Sequence, residues 1–219
     1  MFFILRSMNK AKSDYYDAAA KTIIKAMKNR NFEADYFHTG EEAVKAVLKE
    51  LPEGAVVSWG GSVTLEELGL KEALINGPYK VINRDEAETP EEAEACYHRA
   101  LNADFYFMST NALTKDGRMV NIDGRGNRLS ALIYGPKKVF VLAGMNKVAA
   151  DLDAAFLRVR NLASPMNVRR LNKRTPCASA GFCSDCQSSD CICCQEVVTR
   201  RSAVKGRIHV ILIGEELGF

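Results

Sequence analysis

The chain lacks most of the signatures that would settle its chemistry at sight. It has three histidines, His38, His98 and His209, each on a different segment, and no HExxH pair to hold a catalytic zinc. No GxSxG elbow is present to present a nucleophilic serine. No apolar run approaches the ~20 residues that cross a bilayer, so no helical membrane span is expected. The opening Met1–Leu5 is apolar but too short for the core of a signal peptide, and no small-residue cleavage site follows it. Met8 is a second candidate start, and the expectation is a cytoplasmic protein. Internal repeats and low-complexity stretches are also missing, which excludes solenoids and collagen-like or disordered chains.

What is present is ordinary in amount and uneven in placement. Hydrophobic residues make up 47% and charged ones 26% of 219 residues, enough to bury a core in one domain with an appendage. The net charge is +3, yet Arg158 to Arg207 alone holds ten basic and three acidic residues, so the rest of the chain is acidic. Aromatic residues are not interleaved with this basic stretch, and a nucleic-acid partner is not expected. Six of the seven cysteines fall between Cys177 and Cys194, and Cys96 stands alone.

Hydrophobic spacing predicts an alternation of helices and short strands. Tyr16, Ala19, Ala20, Ile23, Ile24 and Met27 recur at helical spacing within Lys10–Arg30, and Gly40–Leu51 is a second helix stopped by Pro52. A third helix is expected to start at Thr64, with Thr64 and Glu67 at capping-box spacing, and a fourth over Pro90–Leu101 behind Thr89. Asn127–Tyr134, with Asn127 as its cap, and Val148–Leu162 complete the helices. Strands are expected at Glu33–Phe37, Ala55–Ser58, Tyr79–Ile82, Asp104–Met108, Met119–Ile122, Lys138–Ala143 and Ile208–Ile213, with a loop over Ser109–Thr114. This alternation implies an α/β fold, a mainly parallel sheet with flanking helices on both faces. Periodicity fails after Leu162, and the Cys-rich segment 175–195 reads as an insertion near the C-terminus, from which the last strand returns to the sheet.

That segment runs Cys177, Cys183, Cys186, Cys191, Cys193, Cys194, with core spacing C-x5-C-x2-C. It is too polar to fasten itself by burial, and disulfides are unfavourable in a reducing cytosol. Metal ligation explains it better, as tetrahedral zinc or an iron–sulfur cluster, and the surplus of thiols in one loop leans towards the cluster. Nearby basic residues such as Arg174 and Arg200 favour thiolate over thiol. Unligated cysteines buried as small hydrophobes are the bland alternative, and Cys96 reads as plain core.

Two glycine turns are candidate anion sites. Gly60, Gly61 and Ser62 join a strand to a helix start at Thr64, where backbone amides can face a phosphate or carboxylate. A plain βα turn has the same composition. Asp123–Arg128 forms a second turn, where Asn127 and Arg128 can face an anion, Arg125 can pair with one, or the arginines can simply be solvated.

Three blocks together resemble a known family. They are SWGGSVTLEELGL (Ser58–Leu70), DGRMVNIDGRGNRLSALIYGP (Asp116–Pro136) followed by VFVLAGMNK (Val139–Lys147), and Thr175–Cys177 with Cys183, Cys186 and Ile192–Cys193. The family is that of the lactate-utilisation (LUD) domain proteins, and the match runs from about residue 12 to the C-terminus, leaving 1–11 as an extension. The resemblance implies a fold similar to the glucosamine-phosphate isomerase, ribose-phosphate isomerase and CoA-transferase group. It implies a place in bacterial lactate oxidation beside iron–sulfur oxidoreductase subunits as partners. It puts the metal ligands on Cys177, Cys183, Cys186 and Cys193, with a 4Fe–4S cluster favoured and zinc the alternative. Cys191 and Cys194 lie where relatives carry other residues. The resemblance does not carry the acid and base residues of the isomerases onto positions of this chain. The leading expectation is therefore an accessory, electron-transfer protein; the alternatives are an enzyme or binding protein for a phosphosugar- or CoA-like small anion at Gly60–Thr64 and a structural zinc module, and a homodimer is compatible with each.

Overall fold

The run Lys138–Gly144 is apolar on both sides of its pleat: Val139, Val141 and Ala143 pack into one core, Phe140 and Leu142 into another, and all five are buried. A strand buried on both faces needs layers above and below it, which is the arrangement of a parallel sheet covered by helices. The structure is a computed structural model that describes residues 9–219; the apolar opening and Met8 lie outside the described residues. In chain order its elements are α1 (Lys10–Lys28), β1 (Glu33–Phe37), α2 (Gly40–Lys49), β2 (Val56–Trp59), α3 (Val63–Glu67), α4 (Leu70–Ile75), β3 (Lys80–Ile82), α5 (Pro90–Ala100), β4 (Phe105–Met108), β5 (Ala112–Thr114) and β6 (Met119–Asp123). They continue with α6 (Asn127–Ile133), β7 (Lys138–Gly144), β8 (Val148–Ala149), α7 (Leu152–Arg158), α8 (Ser164–Arg170), α9 (Pro176–Ala180), β9 (Gln195–Thr199) and β10 (Ile208–Ile213).

Six strands form the main sheet in the order β1-β10-β7-β4-β2-β3, and every pairing is parallel. The apolar stripe of α1, Tyr16, Ala20, Ile23 and Met27, covers one face together with α6. Helices α2, α3 and α4 cover the other through residues such as Val47, Leu65 and Leu74. The C-terminal strand β10 lies between β1 and β7, as its unbroken Ile208–Ile213 apolar run requires. The expected α/β class is the one observed.

A second, smaller sheet in the order β8-β5-β6-β9 is mixed, and packs Ala112, Val120 and Ile122 against Ala155 and Val159. Its short strands account for several corrections. The expected loop Ser109–Thr114 contains β5, which is defined by pairing with β6 and β8 more than by its own pattern. The helix expected from Val148 starts at Leu152, because Val148 and Ala149 pair with β5 and Asp151 caps the helix through Ala154 N. Helical structure does not stop at Leu162. A π turn over Val159–Ala163 leads into α8, and Pro165 falls in the first turn of α8, where its missing N–H is tolerated.

Candidate functional site

The segments that leave the carboxyl ends of β2, β4 and β7 converge on a cleft of about 580 Å³. Crevices at the carboxyl ends of parallel strands are where open α/β sheets bind ligands. Gly61, Ser62 and Thr64 reach it from the turn after β2, Ser109–Asn111 from the turn after β4, and Lys147 from the turn after β7. The β6–α6 turn adds Asp123, Arg125, Asn127 and Arg128; α8 adds Asn167 and Arg170; the Cys-rich loop closes one wall with Asp190, Cys191 and Ile192.

Ser62 caps α3, accepting from Leu65 N at 3.4 Å. The expected capping box at Thr64 does not form, because Thr64 lies inside the helix with its hydroxyl turned to other work. Its Oγ1 accepts from Lys147 Nζ at 2.9 Å, and Ser109 Oγ accepts from the same nitrogen at 3.0 Å. Lys147 is only 3% exposed. Burial, then repulsion from Arg158 and Arg128, pushes its ammonium down to about 7, with Glu67 pulling the other way. A buried amine held by two hydroxyls and faced by two guanidinium groups favours an anion beside it.

Arg128 lines the cleft, but its guanidinium is committed inward. It pairs with Asp123 at 2.7 Å and donates to the side-chain oxygens of Asn121 and Asn111 and to the carbonyls of Ser109 and Ile122. It fixes the β6–α6 turn to the segment after β4. Gly60 lies behind it: a Cβ there would stand 3.1 Å from the Arg128 stem, and Gly60 is not part of the cleft wall. Asn127 reaches the cleft but does not cap α6; Gly126, with φ 82°, precedes the helix instead.

Gly61 does face the cleft. A Cβ built on it would stand 2.6 Å from Arg84 Nη2 and 3.8 Å from Arg170 Nη2, so two guanidinium groups from separate elements close over one bare backbone. Arg84 also lies 5.3 Å from the Tyr97 ring centroid, with Arg125 at 5.4 Å from the same ring. Arg170 donates to Asn167 Oδ1 at 3.0 Å. Lys173 adds another positive charge. Asp85, Asp123 and Asp190 are the acidic residues of the lining, and Asp123 is taken by Arg128.

The cysteines gather beside this cleft. Cys177, Cys183, Cys186, Cys191 and Cys193 line one cavity of about 60 Å³ with Arg160 and Glu196, and Cys191 and Ile192 form a wall common to cavity and cleft. Thr175 caps α9 and its Oγ1 lies 3.2 Å from Cys177 Sγ. Cys193 N donates to Cys191 Sγ at 3.4 Å, and Asp185 N to Cys183 Sγ at 3.4 Å. Burial, with neighbouring thiols adding to it, pushes Cys193 up to about 11 and raises Cys191. Cys194 is exposed and outside the cavity; Cys96 is buried on α5, with Arg99 Nη2 3.0 Å from its sulfur. Among the described residues, no group of three or more His, Cys, Asp or Glu side chains is arranged to hold a metal ion.

Of the residues singled out in the sequence, Gly61, Ser62, Thr64, Asn127 and Arg128 line the cleft and Gly60 does not; Lys147, Arg84 and Arg170 line it too and carry no signal in the sequence. Lys147 sits within a family-like block, but nothing in its neighbours says that it is buried. Arg84 and Arg170 come from segments with no motif at all.

Among the described residues no helix is long and apolar enough to cross a membrane. A search of curated proteins gave no match. Among solved structures, the chain is similar to a DUF162 family protein from Deinococcus radiodurans, with TM-score 0.54 and 13% identity over 90% of this chain and 98% of that one. That likeness concerns the fold. Two subunits of eIF2B from Chaetomium thermophilum overlap less: beta at TM-score 0.34 and 14% identity (51% of this chain, 43% of that one), and delta at 0.35 and 16% (71% and 60%). Those scores carry no argument here. The family model of the LUD domain matches residues 20–213, and the chain belongs to the LUD domain family.

Proposed function

We propose that this LUD domain binds a small organic anion, a carboxylate or phosphate ester, in the cleft at the carboxyl ends of β2, β4 and β7. The lactate-utilisation association of the family sets the context and makes 2-hydroxy and 2-oxo acids the first ligands to try. One observation carries the reading: Lys147, buried and held only by hydroxyls, lies at the same cleft where Arg84 and Arg170 close over Gly61. Two guanidinium groups converge beside a buried amine, and the Asp85 carboxylate, 3.4 Å from Arg84 Nε, answers only one of them, so an anion in the cleft complements the arrangement. The test is a thermal-shift series with lactate, pyruvate, inorganic phosphate and phosphate esters on the full chain. A ligand that binds the folded state raises the melting temperature with concentration, and Arg84→Ala or Arg170→Ala should reduce that shift. No shift with any of them, at concentrations far above a plausible affinity, overturns the reading.

A second reading, an electron-transfer accessory working beside iron–sulfur oxidoreductase subunits, rests on the five thiols around one cavity. Sulfur donors of this kind suit a 4Fe–4S cluster or zinc. Cys177, Cys183, Cys186 and Cys193 would hold the centre, with Cys191 competing as a ligand; the thiols must draw together to do so. Such a centre would supply one-electron chemistry, or in the zinc case only a clamp on the loop. Anaerobic purification followed by iron, sulfide and zinc analysis decides it. Iron with sulfide supports the accessory role, zinc alone supports a clamp, and absence of all three overturns the reading.

A further inference from the structure

Lys147 has a more specific capacity than charge. Its Nζ makes two hydrogen bonds, to Thr64 Oγ1 at 2.9 Å and Ser109 Oγ at 3.0 Å, and the direction of both is fixed by what the hydroxyls do with their own hydrogens. Thr64 Oγ1 donates to the Leu217 carbonyl at 3.3 Å, and Ser109 Oγ to the Thr110 carbonyl at 3.4 Å. A hydroxyl has one hydrogen to give, so each must accept from Lys147. An uncharged amine has two N–H bonds, and both are thereby used. Its remaining tetrahedral position is the lone pair.

The surroundings make that form accessible at neutral pH. Arg158, which donates to the Asn146 and Asn111 carbonyls, and Arg128, locked to Asp123, are the cations that face it. Glu67 is the opposing carboxylate, and it is occupied in accepting from Gly218 N at 2.6 Å. A lysine that is desolvated and set beside other cations is the usual form of an amine nucleophile towards carbonyl carbon.

We infer that Lys147 forms an imine with the carbonyl carbon of a small anionic ketone bound in the cleft, a step that rests on the cleft being an anion site. The Nζ lone pair adds to the carbon, a C–N bond forms, and the carbonyl oxygen leaves as water with the two hydrogens of the amine. No oxidant or reductant is consumed. Arg84, Arg170 and Lys173 hold the anionic group of the ketone, and Thr64 and Ser109 orient the attacking nitrogen. Lys147 is then a catalytic residue or the anchor of a covalently held ligand, and either case leaves the same bond to detect.

The experiment is borohydride trapping on the full chain. The protein is incubated at neutral pH with pyruvate or with dihydroxyacetone phosphate, reduced briefly with sodium borohydride, digested and mapped by mass spectrometry. The expected result is a reduced adduct on Lys147 at about tenfold or more the level of an exposed lysine such as Lys45, because ordinary lysines are almost wholly protonated at neutral pH. Which ketone labels tells whether the anion is a carboxylate or a phosphate. Lys147→Met, which keeps the length of the stem and removes the amine, should lose that adduct while the exposed lysines label as before; Lys147→Gln serves if the methionine variant does not fold. A melting shift with pyruvate or phosphate ester but even labelling of all lysines overturns the imine and leaves anion binding standing. Neither shift nor adduct overturns both.

Discussion

The Nζ of Lys147 stands 2.9 Å from Oγ1 of Thr64, 83 residues away in sequence, and ties the turn after β7 to the first turn of α3. Thr64 is 1% exposed, so the bond has no water to replace it. Thr64→Val keeps the shape and removes the acceptor, leaving one N–H of Lys147 and the Leu217 carbonyl without this partner. A buried polar group left unpaired costs ~1–3 kcal/mol. Urea unfolding should therefore show a loss of that size, while Thr64→Ser should come close to the wild type. Equal midpoints for Val and wild type would show that the bond contributes nothing.

The pH dependence of stability follows from the same lysine. Burial first, then Arg158 and Arg128, lowers its proton affinity in the folded chain from 10.5 to about 7. Between those two values the unfolded chain holds a proton that the folded chain has released, so the contribution of Lys147 to stability rises with pH across that window. Below about pH 7 both states are protonated and its penalty is complete. The slope is at most ~1.4 kcal/mol per pH unit. Other groups titrate in the same range, so the quantity to measure is the unfolding free energy of wild type minus that of Lys147→Met. That difference should move in favour of the wild type by ~2 kcal/mol or more from pH 7 to pH 10. A flat difference would mean that the lysine stays charged when folded.

Arg128 and Asp123 are each only 11% exposed at the side chain and pair at 2.7 Å. Removing one partner of such a pair strands the other, at ~3–5 kcal/mol. Arg128→Met should therefore lower the melting temperature sharply. Arg128→Lys keeps a charge but not the planar fork that serves Asp123, Asn111 and Asn121 together, and should lose ~2 kcal/mol. Recovery of full stability by the lysine variant would reduce the site to simple charge pairing.

These residues show what the sequence exposes and what it hides. The doubly apolar run at Val139–Ala143 announces a central parallel strand, and the spacing of Tyr16, Ala20, Ile23 and Met27 announces its covering helix, because burial writes itself into hydrophobic period. The small sheet does not: β5 has three residues and β8 two, and their identity comes from partners distant in the chain. The site divides in the same way. Gly61 and the cysteines are legible since their residue types are special wherever they occur. Lys147, Arg84 and Arg170 are ordinary surface types, and only the fold puts one of them under cover and brings the other two over the same glycine.

Two glycines test whether that convergence serves binding or packing. At Gly61 the obstacle to a Cβ is the mobile end of Arg84, 2.6 Å away, so Gly61→Ala need only push a guanidinium aside. Its effect on unfolding should stay within ~0.5 kcal/mol, the range of surface changes, while the thermal shift produced by a bound carboxylate or phosphate ester should fall. Gly117 is the contrast. It holds φ at +83°, and a Cβ there would stand 2.8 Å from the Met27 backbone nitrogen, which cannot swing away. The left-handed conformation alone costs a non-glycine residue ~1–2 kcal/mol, and the clash adds to it. Gly117→Ala should therefore destabilise the chain clearly, and the ligand-induced shift should survive at temperatures where the variant is folded. If Gly61→Ala instead destabilises the fold and leaves the ligand shift intact, Arg84 and Arg170 close over Gly61 as packing, and the anion lies elsewhere in the cleft.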